Sequence, residues 1–181
     1  MVDSVTVRRE HCPQQKDVAM GFREPLDEFR DLHERARSAT LGPPDLAKYH
    51  ALRDELAQLL LSAHHVALLP RQRQRRVLRV ARTLPVDIEF RHGTVRAMTL
   101  DLSSGGFGAL FEGTPLVGEK AKITLSLPEG PPLQATARVV AVKQQVGIAG
   151  GSFQFTDLDE TEIERLEVYV FDAILGQVAS L

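Results

Sequence analysis

At 181 residues the chain can hold one sizeable domain, or a compact domain with an accessory element, and a core of that size needs no disulfide staples. Its apolar share of 43% and charged share of 25% are ordinary for a globular chain, and the absence of tryptophan argues against a heavily aromatic binding surface. A net charge of −2 excludes a globally basic nucleic-acid binder, and the single cysteine, Cys12, can form neither an intramolecular disulfide nor a four-ligand zinc site.

Residues 1 to about 20 carry charge without periodicity, which predicts a flexible N-terminal tail. The tail has no apolar signal core, and no run in the chain approaches the roughly 20 apolar residues of a membrane span. With one cysteine as well, the expected compartment is the cytoplasm. A helical hairpin is expected over residues 21–69. Phe22, Leu26, Phe29, His33 and Ala36 step by threes and fours and so share one helix face. Gly42-Pro43-Pro44 then breaks the helix. A second helix, capped by Asp45, carries the stripe Tyr49, Leu52, Leu56, Leu59, Ala63 and Val66. Zipped together, the two stripes make an antiparallel hairpin. The alternative is a dimerisation or partner-docking surface, since about two to three heptads per helix are few for a self-sufficient coiled coil. His33 reads as a packed histidine rather than a ligand, and His64-His65 as a helix end whose rings suit the dipole.

Pro70 and an arginine run mark the edge of a second domain, residues 70–181. Arg71, Arg73, Arg75, Arg76, Arg79 and Arg82 fall within twelve residues, so the positive charge is local. Beyond them the apolar period drops from about 3.5 to about 2. Val86, Ile88 and Phe90 alternate with Asp87, Glu89 and Arg91 as one strand, His92-Gly93 is a turn, and Thr94–Leu102 and Gly106–Phe111 give two more strands. Ala121, Ile123, Leu125 and Leu127 alternate in a fourth, ended by the turn 128–132. Leu133–Val142 and Val146–Phe155 complete the set, with Gly147, Gly150 and Gly151 supplying bulges or tight curvature. So small a sheet closes to bury its edges, which predicts a barrel. Asp159 then caps a helix with Glu162 reaching back, and Ile163, Leu166, Val170 and Ile174 lay that helix on one side of the barrel.

Two motifs carry chemistry. Arg75 and Arg79 form an R-x-x-x-R pair just before the first strand, and Arg71 with Arg75 offers the same spacing in another register. Guanidinium supplies planar paired donors suited to phosphate oxygens and to the O6/N7 edge of guanine, and it stacks on bases. Asp101-Leu102-Ser103-Ser104-Gly105-Gly106 reads D-x-S-x-x-G at the turn between the second and third strands. Asp101 can accept from guanine N–H donors, Ser103 can donate to a phosphate or base, and Gly106 allows positive φ or close approach of a ligand. Taken alone, an arginine run is most simply a solvated linker and such a turn only a turn. Flanking one hairpin about twenty residues apart, the two together are far more specific.

On these residues, positions 71 to about 178 resemble a PilZ domain, the bacterial receptor module for cyclic di-GMP. The family's R-x-x-x-R is matched by Arg75 and Arg79, and its (D/N)-x-S-x-x-G by Asp101, Ser103 and Gly106. The resemblance implies a mainly β fold: a six-stranded antiparallel PilZ-type β-barrel with a C-terminal helix, preceded here by the helical hairpin. It implies that the arginines contact phosphates and guanine while the acidic turn engages guanine, often of an intercalated ligand dimer. Arg71, Gln74, Arg76 and Gly151 are secondary candidates. The expected protein is a cyclic di-GMP effector of motility or biofilm regulation. Its ligand would draw Arg71–Arg82 onto the barrel, shift the hairpin and so signal to a protein partner, with a homodimer through the hairpin as one arrangement. The alternative is a PilZ-like scaffold that binds protein and no nucleotide. Nucleic-acid binding by the arginine arm is disfavoured, because the barrel lacks an aromatic stacking row. Neither an enzyme nor a cofactor is expected, since no Ser-His elbow, paired carboxylates or metal-ligand cluster stands out.

Overall fold

The computed structural model describes residues 23–66, 76–113, 115–145 and 148–178. The tail expected over residues 1 to about 20 lies outside them, as do Phe22, Arg71, Gln74, Arg75 and Gly147. The chain divides into two compact units, Met1–Arg53 and Asp54–Leu181, and the division falls within the second helix.

Helices α1 (Arg23–Arg37) and α2 (Pro43–Val66) form the expected hairpin. Phe29 stacks on Tyr49 with ring centroids 5.7 Å apart, and His33 Nδ1 lies 3.1 Å from Tyr49 Oη. His33 is buried, as a packed histidine should be, and Lys48 pairs with Glu28 across the hairpin. Asp45, however, is not the cap of α2. That helix starts at Pro43, and the Gly42 carbonyl accepts from Leu46 N at 2.9 Å. The prolines open the first turn, where their missing N–H groups would have no helical partner anyway, and Asp45 pairs instead with Arg35. The apolar stripe expected on α2 is buried only in part, with Leu52 and Leu56 half-buried. Tyr49, Arg53 and Leu61 are buried while Leu59 and Ala63 are exposed. Leucines at positions 46, 52, 56, 59, 60 and 61 spread over more than half of the helix circumference, so periodicity singles out no narrow face.

Six strands follow: β1 (Pro85–Phe90), β2 (Gly93–Ser103), β3 (Gly106–Phe111), β4 (Lys120–Leu125), β5 (Leu133–Gln145) and β6 (Ile148–Phe155). They close into an antiparallel barrel in the order β1-β2-β3-β6-β5-β4, with β4 returning to β1. The period of two sorts the faces. Val86, Ile88, Ile123, Leu125 and Val139 are buried in the barrel core with Phe107, Phe111 and Phe153, while Asp87, Glu89 and Lys122 are exposed. Phe107 stacks on Phe153 with centroids 4.8 Å apart.

Gly150 and Gly151 are not bulges. The β3–β6 register runs unbroken through Gly150 and Gly151, and the irregularities fall between Thr99 and Asp101 in β2 and between Val139 and Ala141 in β5. Gly151 serves packing, since a Cβ there would lie 2.6 Å from the Phe111 ring. The extra residues of the two bulges, Leu100 and Val140, are exposed.

Helix α3 (Glu160–Val178) is capped as its sequence predicts, with Asp159 Oδ1 accepting from Glu162 N at 2.8 Å. Glu162 does not reach back, because its carboxylate is held by Arg165 Nη1 at 2.9 and 3.1 Å. Arg165 Nη2 in turn donates to the carbonyls of Glu129 and Pro131, tying α3 to the β4–β5 turn. Leu166 enters the barrel core, and Val170 and Ala173 are buried against Val80. Asp159→Ala is expected to lower stability by about 1 kcal/mol, read as a lower urea midpoint at unchanged m-value. No described helix is long and apolar enough to cross a membrane.

Candidate ligand-binding site

The arginine segment joins the barrel through an isolated bridge. Val80 pairs with Leu102, each N–H donating to the other's carbonyl at 3.0 Å. The Val80 side chain is buried against Val170 and Ala173, so this point of the chain is clasped between β2 and α3. Further along, the fully buried Thr99 Oγ1 donates to the Arg82 carbonyl at 2.6 Å and accepts from Leu84 N at 2.9 Å. Arg82 Nη2 donates to the Ala173 carbonyl at 3.3 Å. Burial raises the Tyr169 hydroxyl above its ordinary pKa, and the neighbouring Arg82 charge opposes that shift. The expectation that the whole of Arg71–Arg82 is drawn onto the barrel is therefore corrected: Val80 to Leu84 are held there by hydrogen bonds of the fold itself. Thr99→Val removes both hydroxyl bonds at a buried site and is expected to cost about 1–3 kcal/mol, measured as a lower melting temperature.

The bridge also places Arg79. Its Nη1 lies 3.2 Å from Asp101 Oδ1, and each side chain is 34% exposed. Asp101 Oδ1 accepts a second bond, from Gly108 N at 3.1 Å. Among the described residues nothing donates to Asp101 Oδ2, which leaves an acceptor for an N–H of a bound base.

Ser103 is fully buried, and its Oγ donates to the Gly106 carbonyl at 3.0 Å. The hydroxyl thus closes the turn from within, and its proton is already committed to the Gly106 carbonyl. Gly106 has φ of +154°, and a Cβ there would sit 2.0 Å from the Phe153 carbonyl oxygen. Only glycine lets β3 and β6 approach at this point. The Gly105 carbonyl accepts from Phe155 N at 3.2 Å and completes the junction.

Arg79, Asp101, Ser103 and Gly106 are therefore brought together by the fold. Arg76 is exposed three residues before Arg79, and Gly151 packs against Phe111. Arg71, Gln74 and Arg75 lie outside the described residues. Two residues of the site escaped the sequence reading. Gly108 lies against the acidic turn, where a Cβ would touch the Asp101 carboxylate at 3.4–3.5 Å; the glycine alternation at 106 and 108 was the available signal. Thr99 offered none, because a threonine inside a strand reads as a β-former. Among the described residues no group of three His, Cys, Asp or Glu could hold a metal ion.

A family model for the PilZ domain matches residues 70–172. No curated protein matches the chain in sequence. Among solved structures, the Bacillus subtilis inhibitor of motility (MotI/DgrA) is similar with a TM-score of 0.53 and 17% identity, covering 60% of this chain and 57% of that one. YcgR from Escherichia coli in complex with c-di-GMP gives 0.51 and 22% identity over 60% of this chain and 48% of that one. The K. pneumonia MrkH–c-di-GMP complex gives 0.53 and 17% identity over 61% and 56%. The chain thus spans about half the length of these proteins, and identities this low establish the shared fold alone.

Proposed function

The chain belongs to the PilZ domain family, and on that premise we propose that it is a cyclic di-GMP receptor that passes ligand binding on to a protein partner. The observation that carries this reading is the Val80–Leu102 bridge, which sets Arg79 beside Asp101 at the glycine-ended turn. Two motifs far apart in sequence thereby share one surface. The similar folds of YcgR and MrkH, both solved with c-di-GMP, support the choice of ligand.

In this reading Arg79 gives its fork to a phosphate or to guanine O6/N7. Asp101 Oδ2 accepts a guanine N–H, and Gly106 and Gly108 let a base approach the β3 backbone. Arg75, four residues earlier, supplies a second fork, flanked by Arg71, Gln74 and Arg76. These residues bind and orient; no bond is made or broken. Ligand pull on Arg79 acts next on Val80 and hence on α3, whose Val170 and Ala173 hold Val80 in place. That helix is the first element through which a bound ligand reaches a partner.

Calorimetric titration of the 181-residue chain with cyclic di-GMP is expected to give saturable heat with a micromolar or tighter Kd, and GMP is expected not to displace the ligand. A chain that gives no heat yet retains a specific protein partner would be the nucleotide-blind scaffold instead.

A further inference from the structure

The strand registers lay one row of residues across the barrel wall. Ser103 pairs with Gly106, Gly106 with Gln154, Gln154 with Arg138, and Arg138 with Lys120. A parallel row runs from Asp101 to Gly108 to Ser152. Gly106 and Gly108 alternate with Phe107, whose ring is in the core, so both glycines belong to the outer face. Neither carries a side chain, so β3 presents only backbone there, and both glycines are buried by their neighbours. Asp101 and Arg79 stand on its β2 side, and the exposed Gln154 and Arg138 stand on its β6–β5 side.

From this arrangement we propose that Arg138, positioned by Gln154, binds a phosphodiester of the same ligand from across the glycine-floored trough. The proposal rests on the receptor reading above and extends that site onto β5 and β6. Adjacent strands are about 4.8 Å apart, so Arg138 stands about 10 Å from Gly106, within the combined reach of its side chain and a dinucleotide seated over β3. Charge points the same way. Arg138 and Lys120 are direct cross-strand neighbours, and like charges so placed destabilise a sheet. Arg138 Nη2 donates toward β6, to Gln154 Oε1 at 3.4 Å, which turns the guanidinium from Lys120 toward the trough. Among the described residues no carboxylate pairs with either cation. An anion in the trough would convert that repulsion into attraction. Cyclic di-GMP carries two phosphodiesters, one for the Arg79 side and one for Arg138.

The test is calorimetric titration of wild type, Arg138→Ala, Arg138→Lys and Gln154→Ala with cyclic di-GMP at two salt concentrations. Arg138 is exposed, so melting temperature should stay within about 2 °C of wild type. Arg138→Ala should weaken binding about tenfold and flatten its salt dependence. Arg138→Lys should recover part of the loss, keeping charge without the fork, and Gln154→Ala should lose less than Arg138→Ala. Binding by Arg138→Ala within about twofold of wild type, while Arg79→Ala loses it, would overturn this inference and leave the receptor reading standing. No binding by wild type would remove the receptor reading, and Arg138 with it.

Discussion

Replacing Arg79 with alanine is expected to remove cyclic di-GMP binding from a calorimetric titration. The side chain is the one described arginine of the motif pair that reaches Asp101, at 3.2 Å, and its loss takes away a fork for the ligand while leaving the Asp101 carboxylate without its cation. Truncating one member of a hydrogen-bonded charge pair that a bound ligand desolvates costs about 2–5 kcal/mol. At about 1.4 kcal/mol per tenfold, a micromolar ligand would fall beyond calorimetric reach. The fold should barely respond, because an exposed ion pair contributes at most about 1 kcal/mol to stability. Arg79→Lys sharpens the experiment, since it keeps the charge but cannot make the planar bidentate contact, and it too should bind weakly. Arg75→Ala is expected to match Arg79→Ala, and Arg71→Ala to lose less. Wild-type affinity in Arg79→Ala would place the ligand elsewhere on the barrel.

Gly106→Ala is expected to damage both stability and binding. A Cβ at this position would meet the Phe153 carbonyl oxygen at 2.0 Å, in a backbone conformation that L side chains rarely adopt. The only relief is to separate β3 from β6, which would disturb the Phe107–Phe153 stack behind it. A loss of about 3 kcal/mol or more follows from strain of this kind, and urea denaturation would measure it. Gly108→Ala is the matched control. Its Cβ would meet no backbone, only the Asp101 carboxylate at 3.4–3.5 Å. That variant should stay folded and bind less well, because a methyl group would stand between the β3 backbone and the base proposed to approach it. If Gly106→Ala melted like wild type, the tight β3–β6 junction would not be what positions the turn.

The barrel was legible because each strand is buried on one side only, so Val86, Ile88, Ile123 and Leu125 reveal both their element and its inner face. Asp159 was legible for a local reason too: an N-cap acts on an N–H three residues away. What stayed hidden depends on distant partners or on symmetry of composition. Leucines spread over more than half of the α2 circumference conceal which side is buried. The bulge residues Leu100 and Val140 look like any other strand residues, and Gly151 suggested curvature or a ligand contact until the Phe111 ring was seen to fill its place. For the site, both motifs could be read in the chain and the family resemblance implied their convergence, but the contact behind that convergence could not be read. It depends on the lone Val80–Leu102 bridge, which joins residues far apart and carries no local signature. The Arg138–Gln154 pair was hidden for the same reason, since only the β5–β6 register puts it beside the glycines.

The most direct measurement is a crystal structure of the chain grown with cyclic di-GMP. The account predicts one ligand molecule with the Arg79 guanidinium and the Asp101 carboxylate both within hydrogen-bond distance of it, beside the Gly106–Gly108 stretch of β3. A ligand that touched only one of the two groups, or that lay on another face of the barrel, would contradict it.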